Sequence, residues 1–138
     1  MILKYLVSLL FLTTTIMSCA QNNPNKSSIE LTISTTAFSS AVKQPGAQIL
    51  DVRTAGEYQS GHIANALQAN WLDPKEFKNR TQYLDKSKII YIYCQSGGRS
   101  ASAQAALMEA GFKVVNLEGG ISNWRMQQMP VEGAGNAV

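Results

Sequence analysis

Four short runs rich in β-branched and aromatic residues punctuate the chain at 29–33, 47–52, 89–94 and 113–117, with a weaker fifth at 66–70. In Ile89-Ile90-Tyr91-Ile92-Tyr93 both parities are apolar, which suits a strand covered on each face at the centre of a parallel sheet. The segments between the runs follow a helical period. Over 35–43, Ala37, Phe38, Ala41 and Val42 cluster on one side. The stretch 74–84 opens with Asp73 as N-cap and Pro74 at the first helical position. An Ala-rich stretch at 100–110 carries Leu107 and Met108 on one face and stops at Gly111, with Ser100 a candidate N-cap. A last helix is expected from Ile121 to about Gln128, before Pro130. Strands alternating with helices predict an α/β fold with a parallel sheet and right-handed crossovers. Ligands of such sheets sit just beyond the carboxyl ends of the strands, and Cys94 lies at one of those ends.

The first residues follow a different logic. Tyr5 to Met17 is an uncharged, mostly apolar run of 13 residues behind a single Lys4. It is too short to span a bilayer and the right length for a signal-peptide core. It ends in Ile16-Met17-Ser18-Cys19, which resembles a bacterial lipobox, whose cysteine is acylated and becomes the first mature residue. Residues 1–18 are therefore read as a lipoprotein signal peptide and 19–28 as a polar tether with a reach of about 30 Å, leaving 29–138 as one domain. The expected location is exported and periplasmic, with a lipid on Cys19 as the only membrane attachment.

Composition adds only bounds. With 45% hydrophobic and 15% charged residues the chain is globular. The formal charge of +3 drops by one when Lys4 is removed, and no cluster of Lys or Arg marks a nucleic-acid partner. A Cys19–Cys94 disulfide is disfavoured because each cysteine sits in its own motif. No spacing of Cys, His, Asp and Glu suggests a metal, and no glycine-rich motif suggests a nucleotide, so no cofactor is expected.

The chemistry concentrates in Cys94-Gln95-Ser96-Gly97-Gly98-Arg99-Ser100, between a buried strand and a helix. Two adjacent glycines let the backbone enter positive φ and turn its amides inward as an anion-binding nest, to which the helix adds the positive end of its dipole. A thiol at that mouth is expected to ionise near neutral pH without a histidine base. A structural turn has no need of a cysteine and an arginine at its two ends.

Around that loop the sequence resembles the rhodanese family. Asp51-Val52-Arg53, Glu57-Tyr58 and Gly61-His62-Ile63-Ala64 are similar to its first signature, residues 94–100 to its active-site loop, and Leu117-Glu118-Gly119-Gly120 with Trp124 and Pro130 to its last motif. Met129 departs from the glycine frequent at its position. The resemblance implies a three-layer α/β/α domain with a five-stranded parallel sheet. It also implies a ping-pong sulfur transfer in which Cys94 takes the outer sulfur of a donor such as thiosulfate and passes it to a thiol or cyanide, with an acceptor protein as a further possibility. Gln95, Ser96, Gly97, Gly98 and Ser100 would bind the substrate anion through their amides, and Arg99 would orient the donor.

Two other readings compete. Phosphatases and arsenate reductases of related loop architecture usually place five residues between cysteine and arginine, whereas four stand here, a sulfur-sized loop. A binding module without activity would typically have lost Cys94 or Arg99. His62 is read as a structural imidazole, Arg53 and Glu57 as a local pair that fixes their loop, and Trp71 and Trp124 as packing anchors. For the N-terminus, mass spectrometry of protein from the native host is expected to find acyl chains on Cys19. A Cys19→Ala variant should carry none, and an unlipidated mature terminus elsewhere would mean an ordinary secretory signal.

Overall fold

The computed structural model describes residues 31–133, so the signal segment, the tether, Cys19 and the two residues expected to open the first strand lie outside the described part. In chain order the elements are β1 (Thr32–Ile33), α1 (Thr35–Val42), β2 (Gln48–Asp51), α2 (Ala55–Gln59), β3 (Leu67–Gln68), α3 (Pro74–Thr81), β4 (Ile89–Tyr93), α4 (Gly98–Glu109), β5 (Lys113–Leu117) and α5 (Gly120–Met126). All strand pairs are parallel, in the order β1-β5-β4-β2-β3. The expected five-stranded α/β sheet is therefore present, with the doubly apolar β4 at its centre.

The period-two pattern of the strands divides the core into two layers. Leu50 of β2 and Val52 just after it, with Ile90, Ile92 and Cys94 on the β4 side, pack with Phe77 of α3 and Ala103 and Leu107 of α4. Ile49, Tyr93 and Leu117 face the other way, against Phe38 of α1 and Ile121 and Trp124 of α5. β2 connects outward to β3, while β4 connects in the opposite direction to β5. A crevice thus opens beyond the ends of β2 and β4, where the connections diverge. Both the segment after Asp51 and the loop after Tyr93 enter it.

Local chemistry explains most boundaries. Asp73 accepts hydrogen bonds from the amides of Lys75 and Glu76, with Pro74 next to it, as expected. That helix ends at Thr81, three residues before the expected limit, and the amide of Leu84 turns back to the carbonyl of Thr81. Helix α2 has no counterpart in the hydrophobic pattern. It is a single short turn nucleated by a reciprocal box, the Thr54 hydroxyl accepting from the Glu57 amide and the Glu57 carboxylate from the Thr54 amide. Helix α4 starts two residues before Ser100, and its N-cap is Gly97, so Ser100 lies inside the first turn and its hydroxyl is released for another use.

At the end of β2 a charge pair is sealed in the core. Arg53 is 1% exposed and Asp51 fully buried. Arg53 Nε donates to Asp51 Oδ1 at 2.9 Å and Nη2 to Oδ2 at 2.6 Å. Nη2 also donates to the carbonyl of Gly61 at 2.8 Å, and the guanidinium lies over the Tyr93 ring at 5.7 Å. Removing one partner strands the other without water. Asp51→Ala is expected to cost about 3–5 kcal/mol of stability, measured by urea unfolding at equilibrium, whereas joint replacement by Leu at 51 and Met at 53 recovers most of it.

Candidate functional site

Cys94 follows β4 on the face that packs against α4, and it is free and 1% exposed. Gly97 adopts φ 110°, a left-handed conformation that L side chains resist. This turn aims the Gly97 amide at Cys94 Sγ, at 3.1 Å. The Ser100 hydroxyl lies 3.3 Å from the same sulfur and 3.1 Å from the Gly97 carbonyl. A hydroxyl has one proton, so Ser100 serves whichever acceptor is more negative, and an ionised sulfur takes it. Burial pushes the thiol pKa up, but hydrogen bonds from the Ser100 hydroxyl and from the amides of Ser100, Gly97 and Ser96 outweigh it and hold the thiol below its ordinary value. Loop amides surround the sulfur as the glycine pair led one to expect, and the Ser100 hydroxyl, expected as a helix cap, is aimed at the sulfur instead.

The loop is braced from behind. The amides of Ile121 and Ser122, in the first turn of α5, donate to the carbonyls of Cys94 and Gln95 at 2.9 and 3.0 Å. Gly120 makes this contact possible, because a Cβ there would lie 2.6 Å from both carbonyl oxygens. The side chain of Gln95 turns to structural partners, donating to Ser122 Oγ at 2.9 Å and accepting from Arg53 Nη1 at 3.4 Å. Ser96 and Gly98 are exposed, and Gly98 opens α4.

The charge pairing differs from the expected one. Arg53 does not pair with Glu57, because the carboxylate two residues earlier, Asp51, already fills its fork inside the core. Glu57 instead reaches across to Arg99, accepting from Nη2 at 2.7 Å and from Nη1 at 2.9 Å, with the two side chains 33% and 25% exposed. The Arg99 hydrogen bond is the main reason that the Glu57 carboxyl is lowered to about 2, and the Thr54 contacts add to it against a burial penalty. Arg99 is raised in turn, chiefly by its bond to Glu57. A carboxylate at the α2 N-terminus and an arginine at the α4 N-terminus thus close the site's rim. The signal for it was the Thr54-x-x-Glu57 spacing, which marks a helix start and hence a fixed carboxylate.

His62 has the structural setting expected of it. Its Nδ1 lies 2.9 Å from the Tyr58 carbonyl, its ring stacks on Tyr58 at 3.7 Å, and its backbone bridges Glu132. Trp124 packs in the core and donates Nε1 to the Pro130 carbonyl, and Trp71 packs edge-on to Phe77. A cavity of about 480 Å³ lies between α1, Ile63–Asn65 and Trp124 and takes no residue from the Cys94 loop. Among the described residues, no group of three or more His, Cys, Asp or Glu is placed to hold a metal ion, and no helix is long and apolar enough to cross a membrane.

Residues 34–127 match the family model for the rhodanese-like domain. A sulfurtransferase of Allochromatium vinosum is 38% identical over 84 residues, spanning 60% of this chain and 76% of that protein. The thiosulfate sulfurtransferase GlpE of Coxiella burnetii is 38% identical over 85 residues, 61% and 77% of the two chains. Among solved structures, the rhodanese-like domain of an Anabaena protein superposes with a TM-score of 0.70 at 29% identity, covering 79% of this chain and 83% of that one. A rhodanese-related protein from Thermoplasma volcanium gives 0.65 at 30% identity, covering 73% and 96%. With a cradled cysteine at the end of the central strand and a family match over most of its length, the chain belongs to the rhodanese-like family.

Proposed function

We propose that this protein is a sulfurtransferase that carries sulfane sulfur on Cys94 as a persulfide. The observation that carries the reading is the thiol itself, met at 3.1 Å by the Gly97 amide and at 3.3 Å by the Ser100 hydroxyl, and held below its ordinary pKa. These donors stabilise an anion on sulfur before any substrate arrives, so no general base is needed.

The reaction has two half-steps. The Cys94 thiolate attacks the outer sulfur of a donor, the donor's S–S bond breaks, and its electron pair leaves with the departing group. With thiosulfate the products are the Cys94 persulfide anion and sulfite, and the three negative charges of the reactants are conserved. An acceptor thiolate or cyanide then attacks the outer persulfide sulfur and regenerates the Cys94 thiolate. The amides of Ser96, Gly97 and Ser100 stay aimed at the charge throughout, which is electrostatic preorganisation. Four residues between Cys94 and Arg99 favour this over oxyanion hydrolysis. The enzyme acts, on the same reading, outside the cytoplasm, tethered through a lipid on Cys19.

Treatment with a sulfane donor is expected to add one sulfur atom to Cys94, read by intact and peptide mass spectrometry. Cys94→Ser should lose thiocyanate formation from thiosulfate and cyanide by about a thousandfold or more while unfolding like the parent. Turnover retained in that variant sinks the assignment.

The lowered thiol has a signed pH consequence. Thiolate is complete above the pKa and is lost as pH falls through it, so Cys94 alkylation by iodoacetamide should stay fast to a lower pH than that of a free thiol. Ser100→Ala removes one stabilising donor and should move the inflection of the rate–pH curve upward. An unchanged curve would mean that the serine hydroxyl spends its proton on the Gly97 carbonyl.

A further inference from the structure

Both arginines that touch the reactive loop are already paired. Arg53 reaches Gln95, yet its fork is filled by Asp51 inside the core. Arg99 belongs to the loop, yet both its terminal nitrogens are taken by Glu57. Glu57 is not loose, because Oε2 also accepts from the Thr54 amide at 3.0 Å and the Thr54 hydroxyl at 2.9 Å. Its negative charge is therefore locked at the rim by the same box that starts α2. What attracts an anion to this cradle is thus a set of backbone dipoles and one hydroxyl, enough for one charge on one sulfur. Two full arginine charges are offset by two carboxylates.

We infer that Glu57 is a specificity-determining residue that, by neutralising Arg99, fits the site to singly charged or neutral organic persulfides and penalises dianionic donors such as thiosulfate. The inference rests on the sulfurtransferase reading above and names the donor class for it. With an alkyl persulfide, the Cys94 thiolate attacks the outer sulfur of R–S–SH, the S–S bond breaks, R–S⁻ departs and the proton stays on the transferred sulfur. The one negative charge passes from Cys94 to the departing R–S⁻, with no outside oxidant or reductant. Thiosulfate brings a second charge for which the paired rim offers no free cation.

The test separates charge from shape. Sulfur loading of Cys94 is followed by mass spectrometry, with thiosulfate and 2-hydroxyethyl persulfide as alternative donors, in the parent, Glu57→Gln and Glu57→Asp. Circular dichroism checks that each is folded. Glu57→Gln keeps an oxygen for Arg99 but removes the charge, so the ratio of kcat/KM for thiosulfate to that for the persulfide should rise about tenfold or more, since one unit charge is worth about a factor of ten at about 12 Å and an effective dielectric near 20, and more at closer range. Glu57→Asp keeps the charge, and its ratio should stay within about twofold of the parent's even where both rates fall. A ratio unmoved or lowered in Glu57→Gln, or raised equally in Glu57→Asp, overturns the inference and leaves the sulfurtransferase reading standing. A parent that loads no sulfur from either donor overturns both.

Discussion

A guanidinium without access to water organises one end of the sheet. Arg53 is held by Asp51 from β2, grips the Gly61 carbonyl in the loop that precedes His62, touches Gln95 beside the reactive cysteine, and lies over the Tyr93 ring of β4. Burial works against its charge, but the hydrogen bond and charge of Asp51 outweigh that penalty and keep it firmly protonated. The Tyr93 hydroxyl, whose own ionisation is suppressed first by burial and then by Asp51, accepts the amide of Ile63 at 3.0 Å. A hydrophobic replacement of this cluster would fill the same volume. It would not offer directional bonds to three separate loops. The precision of the cradle around Cys94 is inherited from that cluster.

The reactive centre itself relies on small, fixed dipoles. Three amides and one hydroxyl stabilise the sulfur anion, while the formal charges around them cancel in pairs. Dipoles set in a shielded site cost little to reorganise when the charge moves from the thiolate to the outer sulfur of a persulfide. A free arginine would hold donors more tightly but would also hold the anionic leaving group. On the sulfurtransferase reading proposed above, the pairing of Arg99 with Glu57 trades donor grip for release.

Much of this was legible in the chain. The two-sided apolarity of β4 placed it at the sheet centre, and the glycines at 97 and 98 marked the turn of the cradle. What escaped the pattern was set by contacts distant in sequence or by side chains freed from their usual task. Helix α2 is too short to show a hydrophobic period and was marked only by its capping box. Ser100 looked like a cap because serine usually is one, but Gly97 took that position and left the hydroxyl for sulfur. Arg53 and Glu57 are close in sequence, which made them a natural pair. The burial of Asp51 and the reach of Arg99 across 42 positions decided otherwise.

The brace behind the loop bears on the order in which the site takes shape. The carbonyls of Cys94 and Gln95 are held by amides of Ile121 and Ser122, packed so closely that position 120 admits no side chain. A chain emerging from the ribosome therefore exposes Cys94 before the residues of α5 that brace its loop. Until β5 and α5 dock, the carbonyls of Cys94 and Gln95 lack the amides that hold them in the folded loop. The shape of the loop that carries the cysteine is thus completed last, by the C-terminal layer.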